Sequence, residues 1–279
     1  MTWQLAGAKG LAARSHWRTY RARMPRQRFA AAVVLALHLT AVLAADIGIS
    51  PPRLNLVGTP GSSVTGTVMV ITSARGDQQI AAEVGDWTMD LRGEMAFFAS
   101  GSLLGGASNW TTLDVDEFVL TGGGTREVRV DVAVPDDADG THQAMVFFTV
   151  LPRPTETAGV GVLTTTRIGL TVYVTVAGTE RAGSELVDMY QGDDSSLTAV
   201  ILNIGNTVMR LGGVVEIRDE AGDVVRRLDV PDVPVLRESE RELTFALPDD
   251  LESGFYVALA LIEDSRGGIL AGELPFDVP

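Results

Sequence analysis

The sequence predicts an all-β protein: two immunoglobulin-like β-sandwich domains in tandem after an N-terminal signal peptide. Three observations predict it. Beyond residue 45 the chain is a run of strand-like segments with apolar residues at period two, broken by Gly, Pro, Asn and Asp turns. One corner occurs twice, as Val134-Pro135-Asp136-Asp137-Ala138-Asp139-Gly140 and as Leu247-Pro248-Asp249-Asp250-Leu251-Glu252-Ser253-Gly254, each leading into a long apolar strand. The two copies lie roughly one domain apart, so two units of one class are expected. Finally, Gly159–Val176 is almost wholly β-branched residues, Gly and Leu, and from Ile168 it alternates strictly. Ile168, Leu170, Val172, Val174 and Val176 share one face, and Arg167, Gly169, Thr171, Tyr173 and Thr175 the other.

Residues 1–45 carry seven basic residues and no acid, then the apolar run Phe29–Leu37 and the small-residue stretch Thr40–Ala45. This reads as a leader and secretory signal peptide with cleavage after Ala44 or Ala45. Met24 is a second candidate start, because the basic start and apolar run follow it directly. Removing these residues takes the basic count from 22 to 15 against 36 acids, a net charge of −21. So acidic a chain disfavours nucleic acid and anionic lipid as partners. There is no Cys anywhere, so an exported fold rests on its core alone.

The first domain is expected over residues 46–178. Ile47–Val57 opens it with Pro51-Pro52, which confines that stretch to an edge or a bulge because two ladder donors are missing. Ser63–Ile71 and Ile80–Met89 follow as strands. Trp87 is expected as a core aromatic between the sheets. Leu91–Thr112 is irregular and rich in Gly and Ser, and reads as a loop that tucks Phe97, Phe98 and Trp110 onto the sheet. Asn109-Trp110-Thr111 matches an N-glycosylation sequon by pattern. Glu117–Thr121, a Gly122-Gly123-Gly124 turn and Arg126–Val134 form an expected hairpin. The strand Ala144–Leu151 comes next. Residues 179–183 are a small, polar linker, and 184–279 hold seven short strands, as a second sandwich requires. Gly254-x-Tyr256 sits where such a sandwich places its tyrosine corner, and His142 holds the matching place in the first copy.

Catalytic and metal chemistry find little support. His142 is the one His after the signal peptide, so a Ser-His-Asp arrangement has a single candidate base, and that base sits at a structural corner. A zinc site cannot be built from one His and no Cys. Asp136, Asp137 and Asp139 lack the spacing and the bidentate Glu of an EF-hand loop and read as a solvated turn, with weak calcium binding as the minor alternative. Gly159-Val160-Gly161 lacks the third Gly of a dinucleotide loop. Neither enzyme activity nor a cofactor or metal is expected.

Three stretches carry a family resemblance. Ile49-Ser50-Pro51-Pro52-Arg53-Leu54-Asn55-Leu56, Val146-Phe147-Phe148-Thr149-Val150-Leu151-Pro152 and Val160–Val174 resemble the first, penultimate and last strands of the first domain of periplasmic pilus-assembly chaperones. The resemblance covers residues 46 to about 178, and the second domain only in architecture. It implies an exported, periplasmic or cell-envelope protein that caps pilus-type or other envelope subunits. Capping is by β-strand donation together with anchoring of a carboxylate. Arg53 takes the place of the family's cleft arginine. The family's second anchor, a Lys on the last strand, aligns with Gly169, and Arg167 on the same strand face is the candidate substitute. Donor positions would be Val160, Val162 and Thr164. Leu202-Asn203-Ile204-Gly205-Asn206 replaces the Pro-containing motif of the family's second domain. Partners would be protein subunits of a surface structure. The alternative is a structural or adhesive envelope protein of two immunoglobulin-like domains with no client.

Overall fold

The computed structural model describes residues 47–152, 165–192 and 195–279. The signal peptide and the donor positions Val160, Val162 and Thr164 lie outside them. The chain from Ala45 to Pro279 forms one compact unit. Every regular element longer than one 3₁₀ turn is a β-strand, and no helix among the described residues is long and apolar enough to cross a membrane.

Residues 47–176 build the first sandwich. Its strands are β1 (Ile47–Ser50), β2 (Arg53–Gly58), β3 (Ser63–Thr72), β4 (Gln78–Met89), β5 (Met95–Ala99), β6 (Thr111–Leu113), β7 (Glu117–Leu120), β8 (Thr125–Ala133), β9 (Gly140–Val150) and β10 (Arg167–Val176). One sheet has the order β1-β3-β8-β6, and the other β2-β10-β9-β4-β5 with β7 also on β4. Period-two alternation places the core between them. Leu170, Val172 and Val174 of β10, Ala144, Val146 and Phe148 of β9, and Ile80 of β4 meet Val68, Val70, Val128 and Val130 of the facing sheet. Each such side chain contributes about 1.5–3 kcal/mol by leaving water. The face predicted for β10 is the face that is buried.

The proline pair acts as a switch. β1 runs antiparallel to β3 in one sheet, the chain turns at Pro51-Pro52 after a cis Ser50–Pro51 bond, and β2 joins the other sheet parallel to β10. Neither proline has to donate to a ladder there.

Three expectations are corrected. β7 and β8 do not form a hairpin: β7 pairs with β4 and β8 with β3, so the Gly122–Gly124 turn carries the chain from one sheet to the other. The turn packs so closely that a Cβ on Gly122 would lie 2.4 Å from the Arg75 carbonyl oxygen. Trp87 is buried, but on the outer face of its sheet, with Met145, Phe147, Tyr173 and Leu236. The switch in face follows from the alternation, since Ile80, Ala82 and Val84 face the core and Trp87 has the opposite parity. Leu91–Thr112 contains the strands β5 and β6 and the 3₁₀ turn Ser108–Trp110. Its aromatics do tuck in: Phe97 meets Phe147 edge-on at 5.4 Å and Trp110 lies 4.4 Å from the His142 ring.

Residues 184–278 build the second sandwich from β11 (Ser184–Gly192), β12 (Ser196–Asn203), β13 (Met209–Arg218), β14 (Val224–Asp229), β15 (Val233–Val235), β16 (Glu240–Ala246), β17 (Gly254–Asp264) and β18 (Ile269–Val278). The sheets are β11-β12-β16 and β14-β13-β17-β18, with β15 on β13. Leu197, Ile201, Leu211, Val215, Ile217, Ala258, Ala260 and Ile262 fill the space between them. The corner closes as the repeat predicts. Tyr256 donates its hydroxyl to the Glu252 carbonyl at 2.9 Å, and in the first copy the His142 Nε2 lies 2.8 Å from the Asp139 carbonyl.

Candidate functional site

The outer face of the β2-β10-β9-β4-β5 sheet carries the candidate residues, and the second sandwich covers part of it. Trp87, Met145 and Tyr173 pack against Leu236 and Val208 of the second sandwich, with Trp87 and Tyr173 in an edge contact at 6.0 Å. Trp87 also donates its indole N–H to the Ala144 carbonyl at 3.1 Å. Arg167 and Arg53 stand at two separate places on this face.

Arg167 stands in one of them. Its guanidinium lies 3.6 Å over the Phe147 ring and pairs with Glu83. Phe97, Phe98 and Gly85 complete the shallow cavity around it. Arg167 is therefore held by an acid and by an aromatic face.

Arg53 stands in the other. In the parallel ladder it is opposite Thr171, four residues along β10 from Arg167, which is roughly 13 Å at strand rise. The structure does not bring the two arginines into one site. Arg53 instead lines a cleft of about 240 Å³ between the sandwiches, with Asn55, Tyr173, Thr175, Val208, Arg210, Ser265 and Arg266. Among the described residues Arg53 makes no ion pair. Arg210 donates to the Asp232 carboxylate from Nε at 2.6 Å and to its carbonyl from Nη2 at 2.7 Å. Arg210, first, and then Arg53 hold the Asp232 carboxyl below its ordinary range against the desolvation that opposes them. Burial pushes the Tyr173 phenol up, and the charges of Arg210 and Arg53 oppose that shift. Sequence reasoning missed Arg210 and Arg266, because they lie in the second sandwich and nothing local marks them.

β10 has an uneven edge beside this cleft. β9 pairs with all of it, from Arg167 to Val176, but β2 pairs only with Thr171–Val176. Residues 167–170 have no strand partner on the β2 side among the described residues. The proline switch sets this limit, because β2 cannot begin before Arg53.

Asp139 ties the sandwiches together and is no solvated turn. It accepts from Asn206 Nδ2 at 2.8 Å and from Arg237 Nη2 at 3.1 Å, and Arg181 Nη1 lies 3.1 Å away. The Asn206 hydrogen bond, with Arg237 and Arg181, holds its carboxyl below the usual carboxylate range. Asn206 also receives Thr141 N–H at its carbonyl and Arg181 N–H at its side chain. Among the described residues no three His, Cys, Asp or Glu are placed to hold a metal. The His142 ring nitrogens face Gly105 O at 2.6 Å, Asp139 O and Arg237 Nη1, so this side chain is engaged in the corner and the junction.

No family model and no curated protein matches the chain. Among solved structures it is similar to the class 5 fimbriae chaperone CfaA, at 14% identity over 84% of this chain and 99% of that one, with a TM-score of 0.46. The Escherichia coli chaperone DraB is similar at 15% identity, 84% and 95% coverage and a TM-score of 0.44. A chain of the CsuC–CsuE chaperone–tip adhesion subunit pre-assembly complex of Acinetobacter baumannii is similar at 12% identity, 83% and 98% coverage and a TM-score of 0.45.

Proposed function

We propose that this protein is an exported, chaperone-like binding protein that caps subunits of a surface structure, through β-strand addition at β10 and a carboxylate anchor at Arg53. The open stretch of β10, residues 167–170, is the observation that carries the reading. An unpaired row of backbone donors and acceptors is a template for another strand. In the sequence, Val160, Val162 and Thr164, the donor positions of the resemblance, come shortly before this stretch and lie outside the described residues. Arg53 stands at the end of β2, where the open row begins, so a chain paired along that row can reach it with its terminal carboxylate.

The alternative, a two-domain structural or adhesive protein without a client, draws support from Arg167, whose charge is met by Glu83. One experiment separates the readings. The tagged mature chain is used to recover partners from the source envelope fraction, beside a Val160→Arg, Val162→Arg double variant and Arg53→Ala. The chaperone reading expects a stoichiometric β-rich subunit with the wild type, lost in the double variant and reduced in Arg53→Ala. The same partners from all three would leave the client-free reading.

A further inference from the structure

Arg53, Arg210 and Arg266 converge on one cleft of a chain whose residues after 45 have more than two acids for each base. Among the described residues eight other arginines pair with acids, and Arg210 pairs with Asp232, yet the cleft holds two guanidiniums beyond the one that Asp232 serves. We propose that Arg266 and Arg210 of the second sandwich complete, with Arg53, a carboxylate-binding cleft, so that the anchor spans both sandwiches. This rests on the capping function proposed above and changes the membership of its anchor: Arg266, not Arg167, supplies the second free guanidinium.

The second sandwich fixes the backbone that carries these groups. Arg266 lies in the β17–β18 turn. Asp264 braces that turn by accepting Arg266 N–H at 2.8 Å and Gly268 N–H at 2.9 Å on Oδ1, and Ser184 Oγ–H at 2.7 Å on Oδ2. Ser265 fastens the turn to β13. Its N–H donates to the Arg210 carbonyl at 2.8 Å, and its hydroxyl accepts the Arg210 N–H at 3.0 Å. The backbone beside Arg266 is therefore tied to that of Arg210. Asp232 clamps the Arg210 guanidinium by two contacts and fixes its direction. The Arg266 guanidinium feels Asp264 and Glu180 only through their charges and makes no ion pair among the described residues. Tyr173 and Asn55 also line the cleft.

This donor set suits a carboxylate. Guanidinium is planar and always charged, and it binds carboxylate through paired N–H groups. A cleft lined by one sign of charge between low-dielectric walls focuses its field on an entering anion. Two carboxylates fit this chemistry, the end of a chain and an acidic side chain.

The test uses the mature chain and the probe acetyl-Val-Thr-Val-Tyr with a free C-terminus. A second arm uses its C-terminal amide, and a third the amide with Glu in place of Tyr. Calorimetry or amide-shift titration reads the affinity. Arg53→Ala and Arg266→Ala are each expected to weaken the free acid about tenfold, and Arg266→Glu more. Raising NaCl from 50 to 300 mM should weaken it several-fold. Binding of the free acid alone assigns a chain terminus, and equal binding of the Glu amide assigns an acidic side chain. Near-UV circular dichroism checks that each variant is folded. If Arg53→Ala weakens binding while Arg266→Ala and Arg266→Glu do not, the cleft is not shared, and the first-sandwich anchor stands without it. If the plain amide binds as well as the acid, or Arg53→Ala binds as the wild type does, the carboxylate anchor itself is overturned.

Discussion

Asp139→Ala should loosen the junction between the sandwiches, and the structure sets the size of the effect. The carboxylate serves three donors. Asn206 is almost fully buried and keeps only Thr179 O as a partner for its amide N–H groups. A buried donor left without its acceptor costs about 1–2 kcal/mol. The Arg237 side chain is 19% exposed and would lose the nearer of its two charge partners, Glu238 remaining at 3.5 Å, a loss of about 0.5–1 kcal/mol. Arg181 is 66% exposed and adds nothing measurable. Because the Asp139 side chain is itself 37% exposed, solvent screening trims the sum to about 2 kcal/mol. The folded state holds this carboxyl below its ordinary range. Its contribution is thus fully present above the unfolded value near 3.9 and is lost as pH falls through the lower folded value. Urea unfolding of wild type and variant from pH 7 to pH 2.5 reads this directly. The gap should stay near 2 kcal/mol down to about pH 5 and close below pH 4. A gap of equal size at pH 2.5 would mean that packing, not charge, carries the junction, and no gap at pH 7 would refute the reasoning outright.

Three further outcomes follow from particular contacts. Gly140→Ala should cost more than 2 kcal/mol in thermal unfolding, because the residue sits at φ +69° and a Cβ there would lie 2.0 Å from the Asn206 carbonyl oxygen. Asn203→Ala should cost about 2–3 kcal/mol by urea titration. Its buried amide donates to the carbonyls of Thr207 and Leu236 and accepts Gly205 N–H, and alanine removes all three bonds, although Ser239 Oγ–H still serves Leu236 O. Tyr256→Phe should cost about 1 kcal/mol, the worth of the corner hydrogen bond to Glu252, with the fold retained by circular dichroism.

Much of the fold was legible because the reasons for it are local. Alternation in Ile168–Val176 fixed which face of β10 is buried, and Pro51-Pro52 marked the place where no ladder can continue. The repeated Pro-Asp-Asp corner identified two units of one class, and both corners close onto a carbonyl just upstream. Pairing was less legible. Three glycines between two alternating segments look like a hairpin, but a sandwich also uses such a turn to pass between sheets, and nothing in β7 or β8 says which. Trp87 shows the same limit. Its parity placed it opposite Ile80, yet only the second sandwich, through Leu236, makes that opposite face an interior.

The candidate site was legible from one side only. Arg167 and Arg53 fall on one sheet face by parity, so a sequence argument pairs them. Parity fixes the face and says nothing of what stands on it. The Met145 side chain lies over Gly169, between the two, and the second sandwich rests on the cluster that Met145 forms with Trp87 and Tyr173 beside Arg53. Arg167, on the uncovered side, meets Glu83 and Phe147, residues brought beside it by the β4–β9–β10 ladder. Arg53, on the covered side, meets residues more than 150 positions away in the chain. Arg210 and Arg266 are set there by the β13 ladder and the β17–β18 turn, for reasons internal to the second sandwich. Their charge gathers at Arg53 because the Asp139, Asn206 and Arg237 contacts, together with the cluster of Trp87, Met145 and Tyr173 on Leu236, fix the junction. The same contacts that hold the sandwiches together therefore determine the anion site, and a variant that loosens Asp139 should weaken carboxylate binding even though it touches no residue of the cleft.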